Sequence, residues 1–77
     1  AMTTVRHVIV TYLDTEIQAN PKSYPYYRAE ISRDGEIEEV YISYNLRKAL
    51  TKANDKCRGR RVRIIKVTSA GKEDMGI

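Results

Sequence analysis

The 77-residue sequence has no phenylalanine and no tryptophan, and only one cysteine, one histidine, two prolines and four glycines. Each shortage excludes something. Without Phe or Trp, six tyrosines must supply the aromatic bulk of any core, and every buried hydroxyl then needs a hydrogen-bond partner. A single cysteine, Cys57, excludes an internal disulfide and fits a reducing, cytoplasmic compartment. His7 and Cys57 lie too far apart in the chain for metal-ligand spacing. His7 reads as a strand surface residue, and Cys57 as a small residue on the apolar face of a helix. The glycines are scattered at 35, 59, 71 and 76, so no phosphate-cradling loop is present. No run is long and apolar enough to cross a membrane, and no signal-peptide pattern is visible. Glu36, Glu38 and Glu39 beside a turn read as solvated strand residues, not an acid/base cluster. The expectation is a single domain over residues 1–77 that is not an enzyme and needs no cofactor or metal, with Ala1-Met2 a cloning remnant.

The chain is built around Tyr24–Tyr44, YPYYRAEISRDGEIEEVYISY. Two strand-like runs meet at Asp34-Gly35, a strong hairpin signal. A two-residue turn there sets Ala29 against Val40 and Tyr27 against Ile42 on an apolar back. The front then carries Tyr26, Arg28 and Tyr41, with Arg28 opposite Tyr41. Simple alternation leaves Ile37 on the wrong side and opposes Glu30 to Glu39, which is unfavourable. A β-bulge near Glu38-Glu39 is therefore expected, returning Ile37 beneath Ile31.

Val5–Leu13 reads as a first strand continuing, with a bend, through Asp14–Gln18. Ala19–Ser23 reads as a loop, with Pro25 at the start of the next strand. Asn45 is a good N-cap, and Leu46, Ala49, Leu50, Ala53 and Cys57 recur at helical spacing before a stop at Gly59. Arg60–Thr68 is the last clear strand: Val62 and Ile64 face a core, Arg61 and Arg63 face out, and Ile65 and Val67 call for a second bulge. Ser69–Ile77 either frays or adds a short final strand.

Charge is lopsided. Residues 1–44 hold four Lys/Arg against seven Asp/Glu, whereas residues 45–77 hold ten against three, for a net +4. Six of the eleven residues from Lys56 to Lys66 are basic. Such asymmetry points to a polyanion or an acidic partner. The helix also carries Arg47 and Lys48 in its first turn, where the dipole disfavours cations, either as plain helix formers or because an anion lies near. Cations that release phosphate counterions, beside exposed rings on which bases stack, are the two terms that hold single-stranded nucleic acid. The candidate contacts are Tyr26, Arg28, Tyr41, Arg47, Lys48, Arg58, Arg60, Arg61, Arg63 and Lys66. A basic strand is also a common way to guard a sheet edge.

The strand-strand-strand-helix-strand order, with Asn45-Leu46-Arg47-Lys48-Ala49-Leu50, Gly59 and Val62-Arg63-Ile64, resembles small OB-fold single-stranded-DNA-binding proteins of phages and mobile elements. The resemblance covers Tyr26 to Val67. It implies a small, mainly-β, OB-like antiparallel barrel of β-β-β-α-β order with a weak fifth strand. Its ligand would lie across strands two and three on Tyr26, Arg28 and Tyr41, with Arg61 and Arg63 at the groove edge. The alternative fold is an open α+β sheet with one helix. The functional expectation is single-stranded nucleic-acid binding without strong sequence preference, DNA before RNA. The alternative is a phage- or plasmid-type module that docks on an acidic protein surface and inhibits or recruits a host complex. A third arrangement lays helix 46–57 in a duplex groove. A small core and an unpaired strand edge would favour a homodimer.

Overall fold

A computed structural model describes residues 7–19 and 23–76. In chain order the elements are β1 (Ile9–Tyr12), α1 (Thr15–Ala19), β2 (Tyr26–Arg33), β3 (Glu36–Ser43), α2 (Leu46–Lys56), β4 (Arg61–Thr68) and β5 (Gly71–Asp74). The strands form one sheet in the order β1-β3-β2-β4-β5. β1 runs parallel to β3, and all other neighbours are antiparallel. The mainly-β class is as expected, and the architecture is the open α+β alternative. The sheet does not close into a barrel, because β1 lies outside β3 and β5 outside β4, at opposite edges.

Asp34 and Gly35 form the hairpin turn, with Arg33 across from Glu36. Their φ values of 53° and 81° are both positive, as a tight turn matched to strand twist requires. The bulge is also present, with Glu38 the extra residue: Ile31 lies across from Glu39 and Ser32 across from Ile37. Its effect is larger than expected. Beyond it, Ala29 faces Tyr41, Arg28 faces Ile42 and Tyr27 faces Ser43, each one residue past the simple pairing. Because side chains alternate with period two, this shift turns β3 over. Tyr41 joins Ala29 and Ile31, while Val40 and Ile42 point the other way. Glu30 meets Val40 instead of Glu39, which relieves the like-charge contact. Ile37 does not return beneath Ile31; it lies opposite Ser32 and stays exposed.

The sheet therefore buries residues on two faces. On one, the helix face, Ala49 and Ala53 of α2 are fully buried against Ala29, Ile31, Tyr41 and Ile64. Alanines at these positions let the helix axis approach the strands closely. Asn45 caps α2, its side chain accepting from the Lys48 amide at 3.1 Å. Cys57 is the C-cap, half-buried, with its thiol on the Asn54 carbonyl, and Arg58 and Gly59 (φ 49° and 81°) turn the chain into β4. On the opposite face Ile17 of α1 is fully buried on Val40 and Ile42, with Tyr26 and Tyr44 around it. Burying one such side chain is worth roughly 1.5–3 kcal/mol.

Two expectations need correction. The first strand does not run to Gln18: it ends at Tyr12, and Thr15–Ala19 is helical. Its expected beginning at Val5, the Ala1-Met2 reading and most of the Ala19–Ser23 loop lie outside the described residues. β4 has no bulge; it pairs residue for residue with β2 from Tyr26↔Val67 to Ser32↔Arg61. A strand between two others can bury apolar residues on both faces, so Ile64 lies against α2 while Ile65 and Val67 point oppositely. The tail does form a strand, β5, and Met75 anchors it by donating its amide to the Ile64 carbonyl at 2.9 Å. Among the described residues, no helix is long and apolar enough to cross a membrane.

Candidate nucleic-acid interface

The strand registers decide which candidate residues share a surface. Tyr26, Arg28, Glu30 and Ser32 of β2 alternate away from α2, and the β2–β4 pairing sets Arg61, Arg63, Ile65 and Val67 beside them. Lys72 and Asp74 of β5 continue that face. α1 covers its β3 side and packs on Tyr26, while Arg61, Arg63, Lys72 and Asp74 stay exposed toward the β4–β5 side. Tyr26, Arg28, Arg61 and Arg63 are thus brought together on one open face.

Arg28 holds its middle. It lies on the central strand between Ile42 and Ile65, a cation flanked by apolar neighbours. Its Nη2 lies 3.3 Å from Glu30 Oε2, while its buried Nε has no hydrogen-bond partner among the described residues. Beside it, the Tyr26 ring stacks with that of Tyr24, centroids 5.8 Å apart and planes 21° from parallel. Tyr24 is 47% exposed, so its outer surface is available. Toward the hairpin turn, Ser32, Ile37, Arg61, Arg63 and Glu30 line a groove of about 380 Å³. Arg63 is half-exposed and pairs with Asp74 at 3.3 Å, while Arg61 makes no ion pair among the described residues.

Tyr41 does not belong to this surface. The bulge turns it toward α2, where it is only 6% exposed and donates its hydroxyl to Glu39 Oε1 at 2.6 Å. Burial, reinforced by the Glu39 carboxylate, pushes its phenol up to about 12. The expected Arg28–Tyr41 pair is therefore replaced by Arg28 beside Ile42. Arg60 is likewise removed from the site. Its Nη1 reaches Glu38 at 3.1 Å, its Nη2 reaches Glu39 at 2.6 Å, and Nε and Nη2 also donate to the Cys57 and Lys56 carbonyls. It ties the bulge to the end of α2, and these carboxylates raise its pKa further, Glu39 foremost. Glu39 is lowered in turn, first by the Tyr41 hydroxyl and then by Arg60.

The remaining cations lie elsewhere. Lys48 pairs with Asp14 at 2.6 Å. Arg47 is exposed on α2, and Arg58 follows that helix, close enough for its charge to act on Glu39. Lys66 faces the helix side, across from Tyr27.

Two important residues escaped the sequence reading. Tyr24 completes the ring pair, and its period-two spacing from Tyr26 is the signal for it. Asp14 is the second. Its carboxylate accepts from Ser43 Oγ at 2.6 Å, the Tyr44 amide at 2.8 Å and Lys48 Nζ, joining β3, α1 and α2. Lys48 and then Ser43 hold it down at about 2. An Asp before Thr-Glu is an N-cap signal that the β-rich run ahead of it obscured.

Comparison with protein-family models, curated proteins and solved structures gives no match for this chain.

Proposed function

We propose that the protein binds single-stranded nucleic acid across the open face, without strong sequence preference. One observation supports this most directly: two stacked tyrosines, a central arginine with an unpartnered Nε, and Arg61 and Arg63 all occupy the face that α2 leaves uncovered. Bases stack on the exposed surface of Tyr24 and on Tyr26, each adding roughly 1–3 kcal/mol. Arg28, Arg61 and Arg63 contact the phosphates, whose oxygens compete with Glu30 for Arg28 and with Asp74 for Arg63. Exchanging the exposed Arg63–Asp74 pair for a phosphate loses little, because such pairs are weak.

Titrating a fluorescent oligo-dT with the protein in low salt tests this. Binding at micromolar protein that weakens steeply with salt is expected. No binding in low salt sinks the reading, and equal binding of duplex removes the stacking role.

A second reading is a module for an acidic protein surface. The spread of cations favours it: Arg47, Arg58 and Lys66 sit away from the open face. Capture of an acidic partner unaffected by Arg61 and Arg63 substitutions would select it.

A further inference from the structure

We infer that the outer edge of β1 is the interface of a symmetric homodimer, in which two copies pair their β1 strands antiparallel. Six large hydrophobic residues are exposed among the described residues: Val8, Ile9, Val10, Tyr12, Tyr24 and Ile37. Four of them are in β1 or directly before it. Ile37 adjoins them, sharing a surface hollow with His7 and Ile9. Ile9 is the most exposed of the six, at 61%.

The strand is anomalous in a second way. β1 pairs in parallel with β3, and parallel strands are normally covered on both faces. Here Val10 and Tyr12 project to one side and Ile9 to the other, and all three remain exposed. Among the described residues nothing pairs with the outer edge of β1. The opposite edge contrasts with it. β5 carries Lys72, Glu73 and Asp74, the charges by which natural edges resist pairing.

Charge selects the occupant. From His7 to Leu13 the chain contains no Asp, Glu, Lys or Arg. A strand without charge is complementary to itself, so a two-fold axis at its centre opposes no like charges. An acidic or basic peptide strand would gain no ion pair there. A two-fold perpendicular to the sheet also keeps both open faces on the same side, joining two five-stranded sheets into one. The dimer does not depend on the nucleic-acid reading; if both hold, two binding faces form one continuous platform.

Sedimentation equilibrium of the full chain from micromolar to near-millimolar concentration tests the inference. The expected result is a reversible shift from 8.9 kDa to twice that mass. Hydrogen exchange of the Ile9–Tyr12 amides should slow as the dimer forms. Ile9→Glu puts an unpaired charge from each copy into the apolar seam next to its centre and should raise the dimer dissociation constant tenfold or more, while the exposed position leaves the circular dichroism spectrum unchanged. Three outcomes overturn the inference: a mass of 8.9 kDa at every concentration, a dimer that Ile9→Glu leaves intact, or mass growing without limit, which would mean β1 pairs head-to-tail with β5. Oligo-dT binding at concentrations where the chain is monomeric is a separate measurement, so either reading can fail alone.

Discussion

Tyr41 and Glu39, two residues apart on β3, both face α2 and are joined by a 2.6 Å hydrogen bond from phenol to carboxylate. That bond puts Tyr41 among the residues that hold the fold. Tyr41→Phe keeps the ring but leaves Glu39 one donor short, which should cost roughly 1–2 kcal/mol in urea unfolding. Oligonucleotide affinity should not change. Tyr26→Ala should weaken oligo-dT binding by roughly tenfold or more through a lost stacked base, with some loss of stability as well because the ring packs beside Ile17. A Tyr41→Phe variant that loses binding while keeping its stability would return that ring to the interface.

Asp14 gives the fold a pH dependence of definite sign. Its folded pKa, about 2, lies below the ordinary 3.8, so its stabilisation is complete above pH 3.8 and fades as pH falls toward 2. With the carboxylate mostly buried and Lys48 half-exposed, screening reduces the loss to about 1–2 kcal/mol. Asp14→Ala should remove that component and destabilise the protein at neutral pH by roughly 2–3 kcal/mol, since Ser43 is buried without its acceptor. Urea melts of both proteins from pH 2 to 6 measure the difference. Identical slopes would show that Asp14 does not link the two helices to β3.

The sequence is most legible where local chemistry acts alone. Asp34-Gly35, the Asn45 cap, the alanine and leucine spacing of α2 and the bulge beside Glu38 follow from turn, cap and pairing preferences. What could not be read is which face each β3 residue takes. The one extra residue of the bulge exchanges the faces of Tyr41 and Ile42, and the turn and pairing preferences that call for a bulge do not by themselves fix the faces beyond it. The helical state of Thr15–Ala19 was hidden for a related reason: it depends on Ile17 finding Val40 and Ile42, and Asp14 finding Ser43, more than 20 residues away. At the candidate site, the shared face of Tyr26, Arg28, Arg61 and Arg63 was legible because β2 and β4 pair without interruption. Arg60 was not, because its carboxylate partners come from β3.

Arg61 and Arg63 separate charge from stacking. Replacing both by Ala removes two exposed cations and should reduce the slope of log affinity against log salt by about 0.7 for each lost phosphate contact. Affinity in low salt should fall, while the unfolding midpoint moves little, because the only ion pair broken among the described residues is the exposed one to Asp74. Binding with an unaltered slope would move the phosphate path off β4.

The bulge is tested by deleting the residue that makes it. Without Glu38 the two-residue turn at Asp34-Gly35 brings Glu39 opposite Ile31, Val40 opposite Glu30 and Tyr41 opposite Ala29 with no residue left over, so each pairing beyond the bulge is one the chain already makes. Tyr41 therefore stays toward α2, and Ile17 keeps Val40 and Ile42. What is lost is the local bend and the side-chain contacts of Glu38, among them those to Arg60 and Arg33. The deletion should therefore cost no more than an ordinary point substitution, roughly 0.5–3 kcal/mol. Glu38→Ala is the control, because it removes the side chain and keeps the extra residue. Denaturant melts compare the two directly. A deletion variant that no longer unfolds cooperatively, or one with a tyrosine newly reactive to solvent probes, would mean that the bend itself, and not the pairing beyond it, decides where Tyr41 lies.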